Sequence, residues 1–442
     1  MHATTLPTAA VTPARSPRRH ARLPPYRRLI AAAVLVNVGV LAHLWSRGGW
    51  RIDDGSALST LSTMTLANLT VAVLVRQQAV LNVVYGLAGR GSRSWPLRVR
   101  WGVANVHHIG GLHVGCALAG TASLGAFTVV AIGTRVRHPE VVPATTAALS
   151  TALAGLLLVV CICAAPWVRT RAHDVFERSH RWGGWASVAL FWALTIDLDV
   201  EGRGDVGALH AIASDPRAWA LLLITASIAA PWVRLRRVPV RVERPSAHVA
   251  IVHLDDVRPA GSSAVGISRR PLVEWHPFAT VTTPGRPGCR LFVARAGDWT
   301  SRFIDDPPTH VWVRGRPVSA PMAKVAPLFE RVVYVVTGSG IGPSLGQLLT
   351  DRVPARLVWS TRHPRRTYGD ALVDEIEAAQ PDAVIWDTTT AGTPDLLGLA
   401  CEAVDDVGAE AVFVVSNKPT TLGLVRDLER RGIRAFGPIW DS

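Results

Sequence analysis

Val332-Val-Tyr-Val-Val-Thr-Gly-Ser-Gly-Ile-Gly-Pro343 decides how the C-terminal half of this chain is read. An uncharged run of β-branched and aromatic residues predicts a strand buried on both faces, and the glycines after it predict a tight turn into a helix. At such a turn the backbone can approach a phosphate, whose charge is favoured by the N–H groups of a helix start. Gly338, Ser339, Gly340, Ile341, Gly342 and Pro343 are therefore candidate contacts for a dinucleotide. Any sharp strand-to-helix connection can also need glycine, so the surroundings carry the decision.

Downstream, apolar strands at 357–360, 383–387 and 411–416 alternate with helical stretches at 344–350, 368–379, 394–407 and 420–431. This alternation predicts a doubly wound parallel sheet over 331–442. Asn417 is placed for a further dinucleotide contact or for a solvated loop, and Asp387 for a nucleotide or for capping the next turn. Arg362, Arg365 and Arg366, after the second strand, favour NADPH over NADH. Upstream, residues 239–330 show extended pieces at 248–254, 279–282, 290–295 and 310–313 broken by Pro and Gly, which predicts a small antiparallel β-barrel.

Ahead of the barrel, six apolar segments, 29–45, 58–87, 106–132, 147–167, 182–198 and 218–233, reach or approach the roughly 20 residues that cross a bilayer as a helix. The expected architecture is thus a six-helix membrane bundle over 28–238, preceded by a disordered basic tail at 1–27. Arginines stand before the first segment, between the second and third, between the fourth and fifth, and after the sixth, whereas Asp53, Asp54, Asp197, Asp199, Glu201 and Asp205 occupy the other side. The positive-inside rule then puts both termini and the soluble half in the cytoplasm, with the lipid bilayer as a partner. Arg76 interrupts the second segment, so either it has a buried partner or ligand, or it snorkels, or the span ends there.

The formal net charge of +14 over 442 residues raises a nucleic-acid reading. The arginines cluster beside apolar runs, as loop charges that set topology do, so no nucleic-acid partner is expected. The five cysteines form no CxxC pair, which points away from iron–sulfur clusters and a disulfide framework.

His107, His108 and His113 open the third segment, and His173 and His180 precede the fifth, all toward the inner surface. Neutral imidazoles on two helices can ligate one haem b, with Gly110, Gly111, Gly183 and Gly184 leaving room for the macrocycle. His108 and His180 are the expected pair; His113 is the main substitute on the third segment, and His107 and His173 are further alternatives. The competing reading gives these histidines headgroup contacts or helix–helix hydrogen bonds. Thr121, Ser123, Ala193 and Thr195 stand where an outer pair would be, which argues against electron transfer across the whole membrane.

Two further stretches, Glu274-Trp-His-Pro-Phe-Ala-Thr280 and Gly297-Asp-Trp-Thr300, follow the apolar half and precede the Gly338 turn. In this order the chain resembles the ferric reductase and NADPH oxidase group, with its six spans, flavin barrel and ferredoxin reductase-like nucleotide domain. Its histidine pattern and its ending, Ile439-Trp-Asp-Ser442, resemble fungal membrane proteins related to adenylate-forming reductase fusions. The resemblance implies FAD contacts at His276, Pro277, Phe278 and Thr280, with Ala279 at the family's threonine. It also implies a flavin phosphate loop at Arg314-Gly-Arg-Pro-Val318, where Arg314 and Arg316 replace the usual Gly-Pro-Tyr-Gly, and a flavin-stacking role for Trp440. Ser416-Asn-Lys-Pro419 stands where the group has Cys-Gly-Pro at the nicotinamide.

The expected function is a membrane-bound NAD(P)H-dependent flavin oxidoreductase that passes electrons from FAD to one inner haem or to a membrane acceptor such as a quinone-like small molecule. Two rivals stand beside it: a haem-free membrane reductase of a lipophilic substrate, and a non-catalytic membrane sensor that binds nucleotide in a degenerate reductase domain. The sequence fixes no oligomeric state.

Overall fold

The structure is a computed structural model, and it describes residues 24–47, 56–200, 210, 213–259, 261–350 and 352–437. Its first half is helical: α1 (Pro25–Ser46), α2 (Ser56–Leu74), α3 (Gln78–Ala88), α4 (Leu97–Ala104), α5 (Gly110–Arg137), α6 (Ala144–Cys163), α7 (Pro166–Arg171), α8 (His173–Val200) and α9 (Pro216–Val233). Among the described residues five helical stretches are long and apolar enough to cross a membrane: Pro25–Ser46, Ser56–Leu74, Leu97–Arg137, Ala144–Cys163 and Pro216–Val233. The expected segment 182–198 lies in α8, which is not one of them. Leu61, Leu124, Phe127, Leu153 and Leu221 form the centre of this half. Between α1 and α2 the amides of Asn37 and Asn68 donate to each other's oxygens at 2.9 and 2.6 Å, so two polar side chains are satisfied as a pair.

The expected second segment is not one helix. It breaks at Val75–Gln77, where Gln77 caps α3 by accepting from the Val80 N–H at 3.3 Å. Arg76 sits in that break and is exposed. A helix end at this point is among the alternatives weighed for Arg76.

The second half opens with a sheet in the order β1-β7-β4-β5-β6-β3-β2, with β8 paired to β4. Its strands are β1 (Arg236–Pro239), β2 (Arg241–Glu243), β3 (Val249–Leu254), β4 (Ser263–Ser268), β5 (His276–Val281), β6 (Cys289–Ala294), β7 (His310–Val313) and β8 (Val318–Ser319). The two ends of that order, β1 and β2, are separated in the chain by Val240 alone, so the antiparallel sheet rolls toward closure as a barrel. Helix α10 (Asp298–Asp305) covers it, with Phe303 fully buried among Val252, Ile267 and Leu291. Helix α11 (Pro321–Val325) then leads to the last domain.

There, β9 (Val332–Thr337), β10 (Ala355–Thr361), β11 (Val384–Asp387), β12 (Ala411–Val415) and β13 (Ala435–Phe436) form an all-parallel sheet in the order β11-β10-β9-β12-β13. Helices α12 (Ile341–Leu348), α13 (Pro364–Tyr368), α14 (Asp370–Ala379), α15 (Leu396–Val407) and α16 (Lys418–Arg430) connect it. Strand order reverses between β9 and β12, and a doubly wound sheet opens its ligand crevice at such a point, beyond the strands' carboxyl ends. The barrel and parallel sheet are the layout the sequence predicts.

The halves share a core. Leu97, Trp101, Val103 and Ala104 of α4, with Val106, pack into the cluster of Phe329, Val332, Phe413 and Phe436. Arg100, almost fully buried, reaches Glu410 with two hydrogen bonds at 2.7 and 2.9 Å and donates to the Leu328 carbonyl at 2.9 Å. Arg181, at the start of α8, donates to the Leu272 carbonyl of the barrel at 3.3 Å. Arginines of two of the basic connections, Arg100 and Arg181, thus meet the second half of the chain. Across the seam, Trp182, Trp185, Trp232 and Trp275 follow one another edge to face at 5.1, 5.4 and 6.1 Å.

Candidate functional site

The Gly338 turn stands at the sheet's switch point. Gly338 has φ +50, a backbone region that suits glycine, and its carbonyl accepts from Trp359 Nε1 at 3.0 Å. At Gly340 an added Cβ would lie 2.5 Å from the Val415 carbonyl, so β12 and the turn approach as closely as they do only because the residue is glycine. Ile341, Gly342 and Pro343 form the first turn of α12, with Ile341 and Gly342 buried. Thr337 and Ser416 hydroxyls meet at 2.5 Å across β9 and β12.

In front of this turn lies a cleft of about 840 Å³, lined by Pro245, Ser246, Ala247 and His248 of the barrel and by Thr337, Gly338, Ser360, Thr361, Arg362, His363, Arg366, Thr367 and Thr388 of the sheet domain. Its volume is in the range of small-molecule and cofactor sites. Arg362 and Arg366 line it, and no carboxylate lies within ion-pair distance of either among the described residues. Arg365, placed with them by sequence, is instead spent on Asp374 at 2.6 Å and Glu377 at 2.9 Å of α14. Asn417 caps α16, accepting from the Thr420 N–H at 3.0 Å. Asp387 takes the capping role: its carboxylate accepts from the His363 and Thr389 N–H groups at 3.0 and 2.9 Å. Those backbone bonds, Thr389 first, hold its carboxyl below the usual carboxylate range. They also hold His363 at φ +41, a costly backbone for a non-glycine residue, in the wall of the cleft. The sequence reading missed His363 because nothing local marks a left-handed histidine. The cleft has room for a dinucleotide, with Gly338 and the Arg362 and Arg366 guanidinium groups in its lining.

The flavin contacts implied by resemblance fare differently. Strand alternation puts His276, Phe278 and Thr280 on one face of β5 and Pro277 and Ala279 on the other. His276 stacks on Trp299 at 3.9 Å, and Phe278 lies 6.0 Å from the same ring. Burial pushes the His276 pKa down, and its Nε2 is buried without a partner. Thr280 is buried and bonded to Ser263, its hydroxyl lying 3.0 Å from the Ser263 hydroxyl. Arg314 is sandwiched between Trp275 and Trp232, 4.3 and 4.9 Å from the ring centres, and burial lowers its pKa to about 10. The Arg316 N–H donates to Gln78 Oε1 at 3.0 Å. Trp440 lies outside the described residues. Of these, among the described residues, Pro277 and the Arg316 side chain are exposed and take no side-chain contact.

Of the histidines expected for haem, the structure brings together His180 and the substitute His113. His180 faces His113, ring centres 6.0 Å apart, whereas His108 packs on His107 at 4.0 Å. His113 Nδ1 is 2.8 Å from the Ala72 carbonyl, and His173 begins α8 with its ring against Phe176. Of the four glycines, Gly111 and Gly183 are closely packed, Gly110 has only ordinary contacts and Gly184 has nothing within 4 Å. A Cβ on Gly111 would lie 2.4 Å from the Tyr26 carbonyl of α1, and one on Gly183 would lie 2.6 Å from Val160 of α6, so neighbouring helices fill the space beside those two. The expected pair, His108 and His180, is not brought ring to ring in this arrangement.

Residues 322–442 match the family described as the C-terminal domain of adenylate-forming reductase 03009. Over 428 residues the chain is 39% identical to adenylate-forming reductase 03009 of Coprinopsis cinerea, covering 96% of this chain and 41% of that protein. Adenylate-forming reductase 06235 of the same fungus is 38% identical over 429 residues, with the same coverage. The chain thus spans about two fifths of the length of these relatives. Among solved structures, the ferredoxin NADP+ reductase of Neisseria gonorrhoeae with bound FAD and NADP is similar at TM-score 0.35 and 14% identity, over 47% of this chain and 99% of that one. A ferredoxin reductase in carbazole 1,9a-dioxygenase is similar at TM-score 0.36 and 13% identity, over 47% and 70%. By sequence, the chain is homologous across nearly all of its own length to part of the adenylate-forming reductases 03009 and 06235, and its second half is a barrel followed by a parallel sheet.

Proposed function

We propose that this chain is a membrane-anchored oxidoreductase that takes NADPH in the cleft before Gly338. One observation carries the reading: a glycine turn at the switch point of a parallel sheet opens on a cleft with two cations, Arg362 and Arg366, that no described carboxylate neutralises. NADPH, when bound, supplies a hydride. The chain's own groups do the positioning. Gly338–Gly340 lets phosphate reach the backbone, Arg362 and Arg366 face the 2′-phosphate, and the His363 turn, braced by Asp387, keeps that wall in place. The five apolar helices anchor the chain in the bilayer, with the arginine-rich connections and the soluble half on the cytoplasmic side. The acceptor is a small molecule or quinone-like compound, and the reductase names of the relatives and the resemblance to the ferric reductase group support redox chemistry of this kind. A haem forms no part of this reading.

Thermal unfolding of the detergent-solubilised chain with added NADPH or NADH tests it. NADPH is expected to stabilise the protein more than NADH, and Arg362→Ala with Arg366→Ala is expected to remove at least tenfold of that preference. Equal or absent stabilisation sinks the reading. A nucleotide-responsive protein without turnover is the second reading, favoured by the occupied Arg314–Ser319 loop. Stabilisation by NADPH with no NADPH consumption under any acceptor would select it.

A further inference from the structure

The loop from Arg314 to Ser319 offers backbone donors and two arginines, yet its backbone N–H groups at Gly315, Arg316 and Ser319 are already taken. Gln78 and Asn82, four residues apart on one face of α3, present their side-chain amides to it. Gln78 Oε1 accepts from the Arg316 N–H at 3.0 Å, Asn82 Oδ1 accepts from the Ser319 N–H at 2.7 Å, and Asn82 Nδ2 donates to the Pro317 carbonyl at 3.1 Å. Gly315 has φ +66, and a Cβ there would lie 1.9 Å from Gln78 Oε1. Its N–H donates to the Pro231 carbonyl of α9 at 3.0 Å. On either side of α3 the helical half thus fills the seat with neutral oxygen acceptors where an anion would need the same N–H groups.

We infer that Gln78 and Asn82 form a latch on the Arg314–Ser319 loop, and that the latch and FAD bound through this loop exclude each other. The geometry is that of competition: one N–H cannot serve an amide oxygen and a phosphate oxygen at full strength, and Arg314 cannot leave its two indoles without moving Trp232 or Trp275. The latch is chemically light. It uses neutral amides and no ion pair, so a doubly charged pyrophosphate can displace it once α3 shifts. Flavin loading would then be set by how firmly the helical half seats on the barrel.

This inference concerns regulation of the protein read above as an NADPH-using oxidoreductase and rests on that reading for its meaning. Its test is a titration of FAD into the full chain in detergent micelles, followed by quenching of flavin fluorescence. The chain with Gln78→Ala and Asn82→Ala is expected to bind FAD at least tenfold more tightly than the unmodified chain. Equal affinity in both overturns the latch. So does stoichiometric FAD on the unmodified chain as purified, a measurement that does not depend on the variant folding. Stabilisation by NADPH, read in the same preparations, reports the Gly338 cleft separately, so loss of that response with the FAD result intact would remove the functional reading and leave the latch standing.

Discussion

The side chain whose role changed most between sequence and structure is Arg100. In the sequence it belongs to a cluster of loop arginines that sets membrane topology. In the fold it is almost fully buried and bonded to both oxygens of Glu410, whose second oxygen also accepts from the Glu330 N–H at 2.8 Å. Removing one partner of such a pair strands the other charge. Glu410→Ala is therefore expected to destabilise the soluble half by roughly 3 kcal/mol, read from its thermal or denaturant unfolding. Hydrogen bonding to Arg100 holds the Glu410 carboxyl below its usual range. A carboxylate with a depressed folded pKa contributes stability above its unfolded value, about 4.3, and loses it as pH falls through the folded value. The stabilisation should thus be complete near pH 6 and fade below about pH 4. Such partners were illegible because residues 100 and 410 are far apart in the chain. The Gly338 turn was legible for the opposite reason: its strand, glycines and helix are contiguous. Arg362 and Arg366 were legible as a trio with Arg365, but only the neighbouring acids of α14 reveal that Arg365 is already spent.

Among the elements, periodicity found β3, β5, β6, β7, β9, β10, β11 and β12 and the helices between the parallel strands. It passed over β1, β2, β4, β8 and β13, several of them two to four residues long, which carry too little pattern to separate from loop. The apolar run 58–87 read as one segment because hydropathy does not register the Gln77 cap that ends one helix and starts another. That break has a structural consequence, since α3 turns onto the barrel and α4 into the sheet domain's core. Residues 236–442 made alone should expose the surface that Leu97, Trp101, Ala104 and Val106 cover. This fragment is expected to aggregate or unfold at lower temperature than the full chain, and light scattering with thermal unfolding would show it. Equal stability of the isolated fragment would mean that α4 adds nothing to the core.

For the whole molecule, the surroundings of the residues that the resemblance assigns to FAD were illegible at two levels. Strand alternation separates His276 and Phe278 from Pro277 and Ala279, and α10 brings Trp299 onto the first pair. Helices from the first half then occupy the phosphate loop. Neither fact is local, so only the assembled halves disclose them. The four indoles that cross the seam give this assembly an optical signature. Trp182 and Trp185 belong to α8, Trp232 to α9 and Trp275 to the barrel, so the coupling between Trp232 and Trp275 holds only while the barrel stays seated. Near-ultraviolet circular dichroism of the chain should carry a strong tryptophan band that collapses with Trp232→Phe and weakens whenever α3 lets go, which makes the seam its own built-in chromophore.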